Sequence, residues 1–259
     1  MIEEMANIEE HPTKLIHRLS LLYFALIGII LYLVIVPVIF PLKFISLFYK
    51  KANNAYYLVI QKFTFIYLFL SPLKLKIIGT EKLEALQDQD YVFVSNHRSH
   101  LDVFVLLSFI KKLRVLANSY IFKVPVLGLM MRLSGHFEVE PGNVEKFNKA
   151  VQDIKLAVKL KQSVLFFPEM TRCPKGFQGI SKFRLTPFKL ARDLSIPVVP
   201  IVLKGTDGVW PRGVSAHDYH SKVIVTVLDP IDPKNFDSTS SFSKAVKEKM
   251  LESFSGSLS

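Results

Sequence analysis

Cysteine is nearly absent from this chain of 259 residues, in which Cys173 is the only one. A single cysteine excludes a disulfide framework within the chain and a metal site built from several thiolates. The low count also fits a reducing compartment. One motif is missing as well: no Gly-x-Ser-x-Gly segment occurs, and the sequence therefore disfavours a serine hydrolase with a nucleophile elbow.

Dense clusters of Lys and Arg are lacking too, although the chain carries 33 basic against 22 acidic side chains and a formal charge of +11. Proteins that bind nucleic acid usually concentrate their positive charge on one helix or stripe. Half of the residues are hydrophobic, and 21 are Phe. A basic chain this rich in apolar side chains favours an anionic membrane surface or a phosphorylated substrate as its partner, and not nucleic acid.

A long uncharged run lies near the N-terminus, at residues 21–40. An apolar run of roughly 20 residues is long enough for a helix to cross the hydrocarbon core of a bilayer, whereas a signal peptide has a shorter apolar region and a small-residue cleavage site. Pro37 is expected to kink this helix or to end it early. A second apolar stretch, residues 55–70, is interrupted by polar residues and indicates an interfacial or hairpin helix. We therefore expect residues 1–72 to form a membrane-associated helical region.

Apolar runs of strand length alternate with helix-like runs from residue 73 onward. This alternation predicts an α/β fold for residues 73–259, with a mixed, largely parallel sheet flanked by helices. The expected strands are residues 75–79, 91–94, 114–117, 137–139, 163–167, 198–203 and 223–228. The expected helices are residues 103–111, 144–158, 188–194 and 240–254.

The polar segment that follows the 91–94 strand reads Ser-Asn-His-Arg-Ser-His-Leu-Asp and contains His97 and Asp102. Imidazole is the best general base among side chains at neutral pH, and a carboxylate on its other nitrogen fixes the tautomer and stabilises the imidazolium. A loop that enters a helix can fold Asp102 back towards His97. The alternative is a metal-dependent hydrolase with His97, His100 and Asp102 as ligands, although zinc sites on one helix usually use His at i and i+4.

A second polar segment follows the 163–167 strand and contains Glu169 and Arg172. Residues that leave the carboxyl end of such a strand lie in the crevice where α/β proteins bind ligands. Arg172 can hold a phosphate through a pair of hydrogen bonds from its guanidinium. The alternative is a local ion pair between Glu169 and Arg172.

Together the two segments resemble the glycerolipid acyltransferase family. Asn96-His97-x4-Asp102 is followed, about seventy residues later, by Phe167-Pro168-Glu169-x-Thr171-Arg172. The closest type is the 1-acylglycerol-3-phosphate (lysophosphatidic acid) acyltransferase, often called PlsC. Further blocks at residues 122–128 and 196–201 extend the resemblance over roughly residues 75 to 232, in the order of the family.

The resemblance implies acyl transfer to a lysophospholipid, most readily 1-acylglycerol-3-phosphate, which would give phosphatidic acid. His97 would deprotonate the acceptor hydroxyl, and Asp102 would orient His97. The acyl donor would be acyl-CoA or acyl carrier protein, with no cofactor and no metal. The residues that it implies for substrate binding are Asn96, Lys123, Glu169, Thr171, Arg172 and Pro197. Membrane lipids would be partners, at the bacterial inner membrane with the active site on the cytoplasmic side.

Four positions depart from the family's pattern: Asn118-Ser119 replace a basic residue before Tyr120, Thr186-Pro187 replace a Gly before Phe188, and two further departures concern the blocks that contact substrate. The second block, residues 135–141, lacks the Arg that helps the family to bind phosphate, and Met170 stands where the third block usually has Gly. The catalytic pair is intact. These departures leave open an acyltransferase with a different lysolipid acceptor, or a lipid-binding protein that keeps the acyltransferase fold.

Overall fold

The computed structural model describes residues 2–46, 48–71, 73–86, 90–124, 127–174, 177–210 and 222–256. The strands are β1 (Lys74–Ile78), β2 (Val92–Ser95), β3 (Leu113–Asn118), β4 (Phe137–Val139), β5 (Ser163–Phe166), β6 (Val198–Lys204) and β7 (Lys222–Val227). The helices are α1 (Ile2–Ile45), α2 (Lys50–Leu70), α3 (Glu81–Glu84), α4 (Leu101–Leu107), α5 (Ser119–Lys123), α6 (Leu127–Leu133), α7 (Val144–Lys159), α8 (Thr186–Asp193), α9 (Thr206–Val209) and α10 (Thr239–Ser255), with a 3-10 turn at Pro233–Asn235.

Within the described ranges, the strands form one seven-stranded sheet in the order β1-β7-β6-β2-β5-β3-β4. The neighbours from β6 to β4 pair in parallel. Strand β7 runs antiparallel to β6 and parallel to β1. The predicted α/β fold with a mixed, largely parallel sheet is therefore confirmed.

The central strands are buried on both faces of the sheet. Successive side chains of a strand point to opposite faces. In β2, Val92 and Val94 pack in the cluster that holds the apolar residues of α7, α8 and α10. Phe93 packs on the other face, with the apolar residues of α4. A strand covered on both faces needs apolar residues at every position, which explains the unbroken apolar runs of the sequence.

Parallel pairing brings several strand ends to one edge of the sheet. Strands β2, β5 and β6 run in the same direction and are direct neighbours. Their carboxyl ends therefore lie side by side, and we call this the carboxyl edge. The segment after β2 begins at Asn96, and the segment after β5 begins at Phe167. The two polar segments of the sequence thus leave adjacent strands at the same edge.

Helices α1 and α2 lie antiparallel as a hairpin. The Tyr23 hydroxyl, in the first half of α1, donates to the Leu70 carbonyl at the end of α2 across 3.2 Å. Further along, Ile39 packs against Tyr56 in a buried cluster. The hairpin is docked on the α/β part of the chain, because the hydroxyls of Tyr56 and Tyr57 bond to the Oγ and the carbonyl of Ser134.

Helix α1 continues through Pro37 and ends at Ile45, so the expectation that Pro37 ends the helix early is wrong. A proline inside a helix costs about 3 kcal/mol locally. Side chains on both sides of Pro37, Ile35 and Ile39, are buried against α2, and this packing holds the helix together across the proline. The helix expected at residues 103–111 is observed as α4, Leu101–Leu107. It begins two residues and ends four residues earlier than expected.

Two glycines with left-handed backbones provide a matched test of the packing at the end of β6. Gly205 has φ +82°, and a Cβ there would lie 2.0 Å from the Lys222 carbonyl oxygen. Gly142 has φ +81° but no neighbour within 4 Å. We expect Gly142→Ala to lower the Tm by about 2–4 °C, which corresponds to the cost of a left-handed alanine. Gly205→Ala should lower the Tm at least about twice as far, because the backbone of β7 must also shift. If thermal unfolding shows equal decreases in Tm for the two variants, the close packing of Gly205 against β7 is contradicted.

Candidate active site

His97 and Asp102 form a hydrogen-bonded pair at the carboxyl edge. The distance between His97 Nδ1 and Asp102 Oδ2 is 2.9 Å. Asp102 lies in the first turn of α4, and the loop from Asn96 to His100 folds over that turn. We call this loop the catalytic loop, because the sequence predicts the general base there. The side chain of Asp102 is fully buried, whereas that of His97 keeps 18% of its surface exposed. With Nδ1 engaged, Nε2 is the imidazole nitrogen that can accept a proton.

The carboxylate of Asp102 is fixed by main-chain groups of the same loop. Its Oδ2 accepts hydrogen bonds from the amide nitrogens of Arg98 at 2.6 Å and Ser99 at 2.8 Å. Hydrogen bonds from backbone amides stabilise a buried carboxylate in its charged form. The same oxygen therefore organises the loop and orients the imidazole of His97.

The imidazole of His97 also stacks on Phe167, the first residue after β5. The two ring centroids are 4.1 Å apart, with an interplanar angle of 21°. Two contacts thus fix the ring, one at its edge from Asp102 and one at its face from Phe167.

Glu169 joins the catalytic loop to the segment after β5. Its Oε1 accepts from the His97 amide at 2.8 Å, and its Oε2 accepts from the Ser181 amide at 2.7 Å. The Cys173 thiol donates to Oε2 at 3.3 Å, and the Cys173 amide donates to the His97 carbonyl at 2.9 Å. Glu169 is only 6% exposed. Its carboxylate therefore joins two loops by accepting hydrogen bonds from their backbone amides.

The thiol of Cys173 is held in its protonated form. Burial, followed by the negative charge of Glu169, raises the pKa of Cys173 to about 11. A thiol with this pKa is a poor nucleophile at neutral pH. The buried, protonated thiol therefore disfavours a covalent intermediate on Cys173.

Asn96 is a positioning residue in this structure. Its Oδ1 accepts from the Leu203 amide and its Nδ2 donates to the Leu203 carbonyl, each at 2.8 Å. Asn96 is fully buried. The side chain thus continues the pairing of β2 with β6 past the end of β2, and it fixes the point at which the catalytic loop leaves the sheet.

His100 is the N-cap of α4 and lies against Trp210, with ring centroids 5.4 Å apart. Burial first, and then the positive charge of Arg172, lower the pKa of His100 to about 4. His100 is therefore neutral at physiological pH, and the charge on Arg172 acts close to the catalytic loop.

The described part of the chain contains no group of three or more His, Cys, Asp or Glu side chains that is arranged to hold a metal ion. The alternative in which His97, His100 and Asp102 bind a metal can be compared with the hydrogen bonds that Asp102 makes. Asp102 Oδ2 is already bonded to His97, Arg98 and Ser99. This oxygen is thus a hydrogen-bond acceptor for three nitrogens.

The remaining residues expected to bind substrate are placed differently from one another. Thr171 is exposed and Arg172 is half-buried, and both follow Glu169 at the carboxyl edge. Lys123 is exposed at the end of α5, which follows β3 at the same edge. Pro197 immediately precedes β6, and its carbonyl accepts from the Val92 amide at the start of β2. The structure therefore places Pro197 at the opposite edge of the sheet and does not bring it to the other site residues.

The second block, residues 135–141, which lacks the Arg of the family's pattern, forms a local charge cluster. Glu138 and Glu140 both pair with Lys146, at 3.1 Å and 2.8 Å. The Lys146 ammonium also donates to Ser119 Oγ at 3.3 Å. The Lys146 ammonium is thus shared between two carboxylates of this block.

Met170 has φ +58°, in the left-handed region that favours glycine. Its amide donates to the Phe167 carbonyl in the turn that leads from β5 to Arg172. The side chain is 56% exposed. A family pattern with Gly at this position is thus explained by the backbone conformation of the turn.

Comparison with known proteins agrees with this architecture. A sequence model of the Acyltransferase family matches residues 74–204. The chain therefore belongs to the acyltransferase family, and the resemblance seen in its motifs is confirmed.

Individual relatives carry a common name. The chloroplastic 1-acyl-sn-glycerol-3-phosphate acyltransferase of Arabidopsis thaliana is 30% identical over 235 residues, which are 90% of this chain and 64% of that protein. The 1-acyl-sn-glycerol-3-phosphate acyltransferase of Saccharomyces cerevisiae is 28% identical over 78% of this chain and 67% of its own length. This chain thus spans about two thirds of the length of these relatives.

A solved structure shares the fold. The crystal structure of the 1-acyl-sn-glycerophosphate (LPA) acyltransferase PlsC from Thermotoga maritima superposes with a TM-score of 0.78 and 24% sequence identity. The match covers 93% of this chain and 96% of that chain. The helical hairpin therefore falls within the shared fold together with most of the α/β part.

The backbone at Met170 generates a stability prediction. Met170→Gly relieves the strain of a left-handed Cβ, which is about 1–2 kcal/mol, but gives the unfolded chain more freedom. Met170→Ala removes the same exposed side chain and keeps the strained Cβ. We expect the Gly variant to unfold at a higher temperature than the Ala variant, by about 1–3 °C. If the Ala variant is the more stable of the two, the turn does not hold this residue in the left-handed region.

Proposed function

We propose that this protein is a membrane-associated acyltransferase that moves a fatty acyl group from acyl-CoA or acyl carrier protein to a lysophospholipid. The proposed acceptor is 1-acylglycerol-3-phosphate, and the product is phosphatidic acid. The observation that carries the proposal is the His97–Asp102 pair, 2.9 Å apart on a loop of the acyltransferase fold. The names of the relatives support the acceptor.

The geometry of the pair fits a direct acyl transfer. Nε2 of His97 takes the proton of the acceptor hydroxyl as the hydroxyl oxygen attacks the thioester carbonyl carbon. Asp102 stabilises the imidazolium that forms. When the tetrahedral intermediate collapses, the carbon–sulfur bond breaks and the leaving thiolate takes the proton from His97. The products are the acylated lipid and a free thiol, and the enzyme returns to its starting state.

The phosphate of the acceptor would be bound by Arg172, with Thr171 beside it and Lys123 at the same edge. Arg172 acts electrostatically on His100, which lies three residues after the catalytic base. The guanidinium would hold the phosphate through a pair of charge-assisted hydrogen bonds while the acceptor hydroxyl meets Nε2 of His97. A neutral His100 adds no competing charge in this region.

Membrane association is supported by the hairpin. Among the described residues, one helical segment, Leu26–Ile45, is long and apolar enough to cross a membrane. Large apolar side chains are exposed along both helices of the hairpin, among them Leu26, Leu33, Phe65 and Phe69. An exposed apolar surface of this extent favours contact with lipid. We retain the bacterial inner membrane, with the site facing the cytoplasm, as the proposed location, and cell fractionation tests it.

Substitutions of the pair test the chemistry. We expect His97→Ala and Asp102→Asn each to lower kcat by about 100- to 10,000-fold, because they remove the base or the charge that stabilises its protonated form. Asp193→Asn, on an exposed position of α8, is the matched control and should keep full activity. The assay follows transfer of labelled acyl groups from acyl-CoA and acyl carrier protein to a panel of lysolipids. Equal rates in all variants would contradict the assignment of His97 and Asp102, and binding without turnover by the wild type would identify a lipid-binding protein.

A second substitution tests the acceptor. Arg172→Ala should raise the KM for 1-acylglycerol-3-phosphate by about tenfold or more, since a charge-assisted hydrogen bond to phosphate is lost. The KM for a phosphate-free monoacylglycerol should stay unchanged. Lys189→Ala removes an exposed positive charge on α8 and serves as the control. A wild-type enzyme that uses both acceptors equally well would exclude phosphate recognition and indicate a different lysolipid.

A further inference from the structure

Arg98 lies between the catalytic His97 and Ser99, yet its side chain points away from the pair into the fold. It is only 3% exposed. Its Nε and Nη2 donate to the two carboxylate oxygens of Asp207, at 2.8 Å and 2.5 Å. Nη1 and Nη2 also donate to the carbonyls of Gly179 and Phe177, at 3.1 Å and 2.9 Å. The guanidinium thus ties the loop to α9 and to the segment that follows Glu169.

The charge of Arg98 is fully compensated in this position. Burial alone would lower the pKa of Arg98, but the hydrogen bonds and the charge of Asp207 raise it above its ordinary value. A two-pronged pair of this kind fixes both the direction and the distance of the guanidinium. Asp207 is the second residue of α9, and only Gly205, the N-cap of α9, separates this helix from β6.

The last turn of α10 covers the open face of the guanidinium. The carbon at the centre of the Arg98 guanidinium lies 5.0 Å from the ring centroid of Phe254. Lys204, at the end of β6, places its ammonium 5.5 Å from the same centroid and donates to the Gly256 carbonyl at 3.0 Å. One aromatic ring of α10 is therefore held by two cations at the carboxyl edge.

We propose that Arg98 is a positioning residue of the catalytic loop and that the last turn of α10 supports it through Phe254, an inference that rests on the proposed acyl transfer. The link to the chemistry is the main chain. The Arg98 amide donates to Asp102 Oδ2 at 2.6 Å, and Oδ2 bonds to Nδ1 of the base. A guanidinium that leaves its place moves this amide, and with it the carboxylate that orients His97.

If Phe254 supports Arg98, removing its aromatic ring should lower kcat and leave KM unchanged. Phe254→Leu removes the aromatic face but keeps an apolar side chain, and we expect kcat to fall about fivefold while KM is unchanged. Phe254→Tyr keeps the aromatic face and should stay within about twofold of the wild type. Phe236→Leu is the matched control, because Phe236 packs on Phe242 in the same apolar cluster, whereas the ring that faces the Arg98 guanidinium is that of Phe254. A loss of kcat in Phe236→Leu equal to that in Phe254→Leu would overturn the inference, since general loosening of the cluster would explain both.

Amide hydrogen exchange on the full chain provides a readout that does not depend on activity. In Phe254→Leu, the peptide that contains residues 96–102 should exchange about fivefold faster, whereas the same peptide in Phe236→Leu should match the wild type. Unchanged exchange in Phe254→Leu would overturn the inference even if the enzyme is active. A wild-type protein that transfers no acyl group would overturn the proposed function, and the exchange measurement would still decide whether Phe254 holds the loop.

Asp207→Asn supplies a second variant. It keeps the size of the side chain but removes the charge that holds the guanidinium, and we expect a larger loss of kcat than in Phe254→Leu, about 30-fold, again with KM unchanged. A rise in KM with kcat unchanged would show that Asp207 acts on substrate binding, and this result would contradict a positioning role.

Discussion

A single buried oxygen, Oδ2 of Asp102, is the point on which the site depends. Removing a carboxylate from water costs several kcal/mol unless hydrogen bonds and charge compensate. Here the compensation comes from the Arg98 and Ser99 amides and from Nδ1 of His97. These partners can converge only if the loop after β2 folds back on the first turn of α4. The need to satisfy this oxygen and the need to orient the imidazole of His97 are therefore met by the same loop conformation.

The neighbouring strands secure that loop from three sides. Asn96 ties its beginning to β6, Glu169 ties the His97 amide to the segment after β5, and Arg98 ties its middle to Asp207. All three side chains are buried. The proposed general base, held in this way, needs little reorganisation when it takes a proton, which is how a rigid scaffold contributes to catalysis. The polar residues around His97 thus serve mainly to build the loop, while Thr171 and Lys123 are exposed and Arg172 is half-buried.

Much of this could be predicted from the sequence, and the reasons are local. Apolar runs of strand length predicted the seven strands in their order, because strands buried on both faces need apolar residues throughout, but the short helices α3, α5, α6 and α9 were not predicted. The pairing of His97 with Asp102 followed from a short spacing at a strand–helix junction. The roles of Glu169 and Asn96 could not be found in this way, since their partners are the backbone of segments 72 and 107 residues away in the chain. The same holds for Arg98 and Asp207, which are 109 residues apart. Pro197 shows the converse limit: a motif match placed it with the substrate, but the direction of β6 puts it at the other edge of the sheet.

The central claim is that the acyl group passes directly from the thioester to a lipid hydroxyl with His97 as the base. The most direct test is a single-turnover experiment with labelled acyl-CoA or acyl carrier protein and enzyme in excess, quenched before and after 1-acylglycerol-3-phosphate is added. The account predicts that no label is attached to the denatured protein before the acceptor is added, and that afterwards one labelled phosphatidic acid forms for each free thiol released. Label that stays covalently bound to the protein, or thiol release without labelled lipid, would contradict it.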